Sequence, residues 1–151
     1  MAGDDGRARP LCPTDFLKLA GLAVLLPAVA ASLRLRGYRR TQTLLQSLAP
    51  ARASGAEAST QAIAEARHLG RLVSIAAARG PFRVHCLTRS LLLEALLRRR
   101  GVAPELHFGA RREGPDLHAH AWVSLNGTVV NDRDDIAERY PTMTAPGQRP
   151  H

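Results

Sequence analysis

The pattern of hydrophobic and polar positions divides the chain into a helical first part and a strand-forming second part. The first apolar run spans 19–33; it contains one polar residue, Ser32, and has Pro27 at its middle. A run of this length is shorter than the roughly 20 residues that a helix needs to cross a bilayer core. We therefore predict a buried helix that begins at Asp15 with Thr14 as its N-cap and is kinked at Pro27.

Two further helices are predicted downstream. Apolar residues at spacings of three and four occupy 61–79, and Ser59 or Thr60 can cap this helix. A third helix begins near Cys86 and ends at Gly101, directly after three consecutive arginines. Basic side chains and a following glycine are typical of a helix C-terminus.

Beyond Gly101 the pattern changes from helical spacing to alternation. Residues 105–111 and 117–125 are predicted strands, and Asn126-Gly127 is a strong hairpin signal that leads into a third strand at 128–131. Helices followed by a small antiparallel sheet indicate an α+β fold. The predicted segments are a disordered N-terminus, a helical region, a core and a loose tail, at 1–13, 14–59, 60–140 and 141–151 respectively.

Composition and charge narrow the functional classes. The net charge is +8, but only one of the 21 basic residues is a lysine, and the arginines are scattered without interleaved aromatic residues. Nucleic-acid binding is therefore not expected, since single strands are bound by stacking on aromatic side chains. Two cysteines do not make a disulfide framework, which favours a reducing, cytoplasmic setting. Peripheral membrane contact by the apolar run, helped by arginines 34–40, is the less favoured alternative to burial.

Cys86 is the first candidate for chemistry. A thiol at a helix start faces unpaired backbone N–H groups and the positive end of the helix dipole, and both stabilise the nucleophilic thiolate. An ordinary buried cysteine is an equal alternative from this stretch alone, because free cysteine is among the most buried residue types.

A cysteine nucleophile needs a base, which is usually histidine. His118 and His120 alternate along a predicted strand and share one face with Trp122. His107, on the preceding strand, is a weaker candidate. Zinc binding is also weaker, because no further His or Cys follows at ligand spacing. Alternation alone does not choose between His118 and His120, and we expect no metal and no cofactor.

The hairpin register decides which acid can orient the base. A three-residue loop at 125–127, with Gly127 in a bulge, would place His120 directly opposite Asp132. A two-residue Asn126-Gly127 turn would instead place Asp132 opposite Ala121, on the other face. We predict the bulged hairpin, and with it a His120–Asp132 pair.

These motifs resemble one known family. Cys-Leu-Thr-Arg-Ser at 86–90, Leu-Leu-Arg-Arg-Arg-Gly at 96–101, His-Ala-His-Ala-Trp-Val at 118–123 and Val-Val-Asn-Asp at 129–132 resemble the transglutaminase-like leader peptidases of lasso-peptide biosynthesis. The resemblance covers about 80–135 well and the N-terminal helical part less specifically. It implies a papain- or transglutaminase-like core.

The resemblance also implies an activity and its residues. Cys86 would be the nucleophile, His120 the base and acid, and Asp132 the orienting acid of a cysteine peptidase that removes the leader from a lasso precursor peptide. Arg89, His118 and Trp122 are candidate supporting residues near the oxyanion, although a purely structural role is favoured for Arg89. The chain looks like the type that works with a separate leader-recognition protein, and a macrolactam-forming cyclase is a further expected partner. The alternatives are acyl transfer to an amine and a non-catalytic, arginine-rich adaptor.

Overall fold

The computed structural model describes residues 10–48, 58–80 and 84–143. Residues 1–9 of the predicted disordered segment 1–13, residues 49–57 of the predicted helical region, residues 81–83 and residues 144–151 of the predicted tail 141–151 lie outside these ranges. The described helices are α1 (Pro13–Ser47), α2 (Thr60–Arg79), α3 (Cys86–Arg99) and α4 (Ile136–Arg139). The strands are β1 (Glu105–Glu113), β2 (Asp116–Leu125), β3 (Thr128–Val129) and β4 (Thr142–Met143). Three long helices followed by a small antiparallel sheet confirm the α+β prediction.

Helix α1 begins two residues before the predicted Asp15 and contains a break that we did not predict. Its N-cap is Cys12, not Thr14, and the Asp15 side chain accepts a hydrogen bond from the Cys12 backbone N–H at 2.9 Å. The backbone leaves the helical region at Gly37, with φ 76° and ψ 174°, a break that we did not predict; the kink at Pro27, which lies inside the helix before it, stays a prediction. Glycine reaches this left-handed φ without the steric cost that a side chain would add.

The prediction of a buried α1 is only half right. Leu22, Leu26 and Val29 are buried against α2 and α3, but the opposite face of the helix is exposed. By length and composition alone, α1 could cross a membrane. An 18-residue window of this helix has a mean hydropathy of 2.0, and only 17% of the window is buried.

Helices α2 and α3 follow the predicted boundaries closely. The Ser59 hydroxyl caps α2 by accepting a hydrogen bond from the Ala62 N–H at 3.2 Å. Cys86 is the first residue of α3, and Gly101, just past its end, has φ 82°. Local capping signals therefore placed both helices correctly.

The sheet has the strand order β3-β2-β1-β4 and is antiparallel throughout the described pairs. Strands β1 and β2 extend beyond the predicted 105–111 and 117–125 and are joined by a tight turn at 114–115. Helix α4 and strand β4 were not predicted. Strand β4 belongs to the predicted loose tail, but it pairs with β1 at Phe108 and Gly109.

The two faces of β2 enter different clusters, as alternation predicted. Val123 and Leu125 join the main core with the three long helices. Trp122 points to the other face and packs with residues of β3 and α4 and with the residue that follows α4, namely Val129, Ile136 and Tyr140. The sheet therefore separates the helical core from a smaller cluster on the far side, where His120 also lies.

The β2–β3 hairpin does not have the predicted bulge. Ser124 pairs with Val129 and Leu125 with Thr128, which leaves a two-residue turn at Asn126-Gly127. Both turn residues have positive φ, 50° and 75°, as a type I′ turn requires. The twist of this turn matches the twist of its strands, and asparagine tolerates a left-handed φ better than most residues, so the shorter loop is formed without a bulge.

Candidate active site

His120 and Asp132 form a direct hydrogen bond, with Nε2 and Oδ2 2.7 Å apart. The contact exists although the register from which we predicted it is wrong. Strand β3 ends at Val129, and the Val130 N–H makes the last backbone bond of the hairpin, to the Val123 carbonyl at 3.0 Å. Beyond that point the chain leaves the ladder, so strand alternation no longer determines where the Asp132 side chain points.

Where β3 ends, side chains rather than a neighbouring strand hydrogen-bond to the backbone at the edge of β2. The Asn131 Oδ1 accepts a hydrogen bond from the Val123 N–H at 2.8 Å, and its Nδ2 donates to the Ser90 hydroxyl at 3.0 Å. Ser90 in turn donates to the Ala121 carbonyl at 2.9 Å. A third backbone strand would otherwise bind these edge groups. The chain of bonds fixes α3, β2 and the segment carrying Asp132 relative to one another.

Cys86 lies at the end of α3 that this network holds. It precedes Ser90 by one helical turn, on the same face of the helix, so the start of α3 is anchored at the strand that bears His120. The first intrahelical bond of α3 is from the Arg89 N–H to the His85 carbonyl at 3.3 Å, which leaves the N–H groups of residues 86–88 without an acceptor inside the helix. Within the described ranges, no hydrogen bond joins the Cys86 sulfur to His120.

Aromatic rings enclose His120 on the far side of the sheet. Its ring lies 6.3 Å from the ring of Trp122 and 5.0 Å from that of Tyr140, measured between centroids. Trp122, one of the predicted supporting residues, is fully buried and also stacks on His107 at 5.6 Å. These contacts restrict the orientation of the His120 imidazole.

Gly109, which pairs with His120 across β1 and β2, makes room for the tyrosine. A Cβ at this position would lie 2.5 Å from the Tyr140 carbonyl oxygen and 2.9 Å from Trp122 Cζ3. Tyr140 was missed in the sequence because it follows a helix of a single turn. An isolated glycine inside a strand pattern does signal a close approach, and Gly109 was such a signal.

The other predicted histidines take no part in the His120–Asp132 pair. His118 is exposed, and its Nε2 is 3.9 Å from a carboxylate oxygen of Glu113. His107 makes a hydrogen bond with the Ser124 hydroxyl at 2.7 Å. In the part of the chain that the structure describes, no three His, Cys, Asp or Glu side chains cluster as a metal would require.

Arg89 and Asp132 both line an open cavity of about 570 Å³ between α2, the start of α3 and the segment after β3. The Arg89 Nε is buried and has no hydrogen-bond partner in the described structure. The cavity walls contain further arginines, of which Arg67 donates to the Val129 carbonyl at 3.2 Å and to Asp134 at 2.7 Å. The expected role of Arg89 near the oxyanion stays a prediction.

Gly70 allows α2 to pack directly on the segment that carries Asp132. A Cβ on Gly70 would lie 2.5 Å from the Val130 carbonyl oxygen and 3.2 Å from the Asn131 Cα. Together with Arg67, this close approach fixes the path of the chain just before Asp132. Gly70 was not among the predicted residues, although a glycine within a helical pattern is a recognised sign of tight packing.

Three comparisons with known proteins bear on this arrangement. No curated protein matches the chain. No solved structure matches it either. The family model described as the transglutaminase-like superfamily matches residues 24–145, which is well over half of the chain and includes α2, α3 and the whole sheet. The chain therefore belongs to the transglutaminase-like superfamily.

Proposed function

We propose that the protein is a cysteine peptidase that removes the leader from a ribosomally made lasso precursor peptide through a Cys86 thioester. One observation carries the proposal: a cysteine at the first residue of α3 is anchored at the strand whose His120 is hydrogen-bonded to Asp132. The resemblance of the segments 86–90 and 118–123 to lasso leader peptidases supports this choice of substrate.

The proposed roles follow from the hydrogen bond that His120 already makes with Asp132. Asp132 accepts a hydrogen bond from His120 Nε2, which leaves Nδ1 to take the proton of the Cys86 thiol. The thiolate attacks the carbonyl carbon at the leader–core junction, and the imidazolium protonates the departing amine as the carbon–nitrogen bond breaks. Water, deprotonated by His120, then hydrolyses the thioester and releases the leader as a carboxylic acid.

The start of α3 is the proposed site for the negative charge that develops on the carbonyl oxygen. The N–H groups of residues 86–88 have no acceptor inside the helix, and the helix dipole is positive at this end. Donors that are fixed before the reaction stabilise an oxyanion without further reorganisation. Arg89 is proposed as a supporting cation beside them.

The proposed setting is the cytoplasm, with a separate leader-recognition protein as partner. That partner would hold the leader so that the junction reaches Cys86. The proposed consumer of the released core peptide is a macrolactam-forming cyclase. No cofactor or metal has a role in this mechanism.

Acyl transfer is the second candidate function. A Cys86 thioester is the common intermediate of hydrolysis and of transfer to an amine, and membership of the transglutaminase-like superfamily is compatible with both. The acceptor decides the outcome: water gives a free carboxylic acid, and a primary amine gives a new amide. A non-catalytic adaptor, in which Cys86 has no reaction, is the third.

The three candidates separate in one experiment. The protein is incubated with a lasso precursor, the matching recognition protein and a primary amine, and the products are weighed by mass spectrometry. A free leader acid supports peptidase activity, an amine adduct supports acyl transfer, and unchanged precursor supports the adaptor.

Cysteine variants tie the activity to the site. We expect Cys86→Ala to abolish cleavage while the far-ultraviolet circular dichroism and the melting temperature stay close to those of the parent. Cys12→Ser is the matched control, because Cys12 is the other cysteine and is exposed at the start of α1. Cleavage that survives in Cys86→Ala would refute the proposed mechanism.

A further inference from the structure

Helix α1 presents a second apolar face to solvent, opposite the one that packs on the core. Leu17, Val24, Ala28, Ala31 and Leu35 follow one another at spacings of seven, four, three and four residues, so they share one side of the helix. The large apolar side chains on this side and its flanks are strongly exposed: Phe16 62%, Leu17 80%, Val24 70%, Leu25 42% and Leu35 84%.

This face of α1 has almost no polar side chain that could hydrogen-bond to water. Between Leu19 and Leu33 the only polar side chain is that of Ser32, and its hydroxyl is already hydrogen-bonded to the Thr41 hydroxyl at 3.0 Å. From Leu17 to Leu35 the face is about 27 Å long at the rise of an α-helix. A helix that is apolar all round is normally covered on both sides, and an exposed apolar patch of this extent marks an interaction site.

The charges next to the face have one sign. Arg34, Arg36 and Arg40 are exposed at the end of the apolar run, and Lys18 lies near its beginning. The one acidic residue of α1, Asp15, is buried and bound to Lys18 and His68. The whole chain carries a net charge of +8. An anionic surface is therefore the electrostatic complement of this side of the protein.

We propose that α1 binds the surface of an anionic membrane, with its Leu17–Leu35 face at the boundary of the acyl chains and its arginines among the headgroups. An apolar helix face beside a basic cluster is the composition of helices that lie in the membrane interface. The helix does not span the bilayer, since Leu22, Leu26 and Val29 on its other side belong to the protein core.

A membrane suits this face better than a protein partner does. Protein interfaces carry about one hydrogen bond per 100–200 Å² and have a polar rim. The face from Leu17 to Leu35 has no free side-chain donor or acceptor between the lysine at its start and the arginines at its end. Hydrocarbon needs no such partners, and anionic headgroups match the arginines.

Membrane binding by α1 replaces the expectation from sequence of a buried helix, in which peripheral membrane contact was the less favoured alternative. It does not depend on the peptidase proposal, because the face lies on α1 and includes neither Cys86 nor the His120–Asp132 pair. Membrane binding and peptide cleavage therefore fail or succeed in separate experiments.

Vesicle co-sedimentation of the full chain tests the proposal. We expect binding to vesicles of mixed phosphatidylglycerol and phosphatidylcholine, weak binding to pure phosphatidylcholine, and a marked decrease at high salt. The double variant L17D/V24D should weaken binding more than about tenfold, since both aspartates would enter the acyl-chain boundary. Leu117→Asp is the matched control, because Leu117 is 66% exposed but lies on β2.

A triple variant tests the electrostatic part. R34Q/R36Q/R40Q should lower affinity for the anionic vesicles by about fivefold for each arginine removed, with no change for the neutral ones. Circular dichroism of each variant checks that the fold is intact. Failure to sediment with anionic vesicles, or equal binding by folded L17D/V24D, would overturn the proposal. Self-association without lipid that L17D/V24D abolishes would assign the face to a second copy of the chain instead.

Discussion

Asn131 and Asp132 are adjacent residues that act on opposite sides of the edge of β2. The Asn131 side chain turns to Val123 and Ser90 on the helical side of the sheet, and the Asp132 side chain turns to His120 on the other. Successive side chains of an extended chain diverge in this way. The helix that bears the cysteine and the strand that bears the histidine are therefore positioned by two consecutive residues.

Asp132→Asn tests whether the carboxylate orients His120 and stabilises the imidazolium that forms during the reaction. We expect the rate of leader cleavage to fall by a factor of about 10² to 10⁴, as when the orienting acid of a triad is replaced, with little change in melting temperature. Asp134→Asn is the matched control, because Asp134 lies two residues away and binds Arg67 instead. Equal rates for the two variants would remove Asp132 from the proposed site.

Ser90 and Asn131 are expected to act as one unit. Asn131→Ala leaves the Val123 N–H without its partner and should lower the free energy of unfolding by about 1–3 kcal/mol, measured by urea denaturation. The rate at which iodoacetamide alkylates Cys86 should change as well, because the start of α3 loses an anchor. Ser90→Ala combined with Asn131→Ala should cost less than the sum of the single changes. Strict additivity would show that the two residues act independently.

At the residue scale, local signals indicated the candidate reactive groups but not the residues that position them. Cys86 was found from its helix start, and His120 was separated from His118 by a resemblance. Asn131 acts where it does because β3 stops at Val129, and the end of a strand depends on distant packing rather than on local pattern. The predicted bulge led us to the pairing of Asp132 with His120, which the structure has, although the hairpin contains a two-residue turn instead of the bulge.

At the element scale, short-range signals located α2 and α3 well because caps and apolar spacing lie within a few residues of each other. In α1 we predicted a kink at Pro27 but not the break at Gly37, where the backbone leaves the helical region. A proline within a helix lacks one backbone N–H, but its fixed φ is compatible with the helix. A glycine can adopt a positive φ at little cost in conformational energy, so the chain can leave the helix there. Helix α4 has four residues and strand β4 has two, too few to show a periodic pattern of apolar positions. Their formation depends on contact with the sheet, as in the pairing of β4 with β1.

The packing of α2 on the segment before Asp132 can be tested at one glycine. Gly70→Ala would place a Cβ 2.5 Å from the Val130 carbonyl oxygen, which is backbone and cannot move aside easily. We expect a loss of about 1–3 kcal/mol in the free energy of unfolding. Leader cleavage should slow even under conditions in which Gly70→Ala is fully folded, because the added Cβ would displace the segment that carries Asp132.

Gly21→Ala is the matched control for this change. Gly21 also lies within a helix, but a Cβ there meets nothing within 4 Å. Alanine should therefore stabilise the protein by roughly 0.5–1 kcal/mol, from helix propensity alone. If both alanine variants stabilise the protein, the close approach of α2 to Val130 is not a constraint.

At the scale of the whole molecule, α1 is part of the domain rather than an appendage. Leu22, Leu26 and Val29 share the main core with α2, α3 and β2, and the region matched by the superfamily begins within α1. The start of α1 is also tied to α2 by a hydrogen bond between Asp15 Oδ2 and His68 Nε2, 3.1 Å apart. The apolar run at 19–33 predicted a helix, but it did not distinguish the face of α1 that packs on the core from the face that is exposed.

The Asp15 contacts predict how the stability of the molecule depends on pH. The backbone N–H of Cys12, followed by His68 and Lys18, lowers the pKa of Asp15 from 3.8 to about 2, against the effect of burial. A carboxyl whose pKa is lower in the folded state adds stability above its unfolded pKa and loses it as the pH falls through the folded value. The contribution of Asp15 should thus be complete above about pH 4 and disappear near pH 2.

Asp15→Asn isolates this contribution. The buried Glu94 has a raised pKa, because of burial against the opposing effect of Arg98, and a raised carboxyl pKa lowers stability as the pH rises. The difference between parent and Asp15→Asn removes that background, since Glu94 is present in both. We expect urea midpoints of the two proteins to differ most between pH 5 and 7 and to converge as the pH approaches 2. Asp134→Asn, at an exposed carboxylate, should show no comparable convergence. A midpoint difference for Asp15→Asn that stays constant from pH 7 to pH 2 would mean that the ionised carboxylate does not tie α1 to α2.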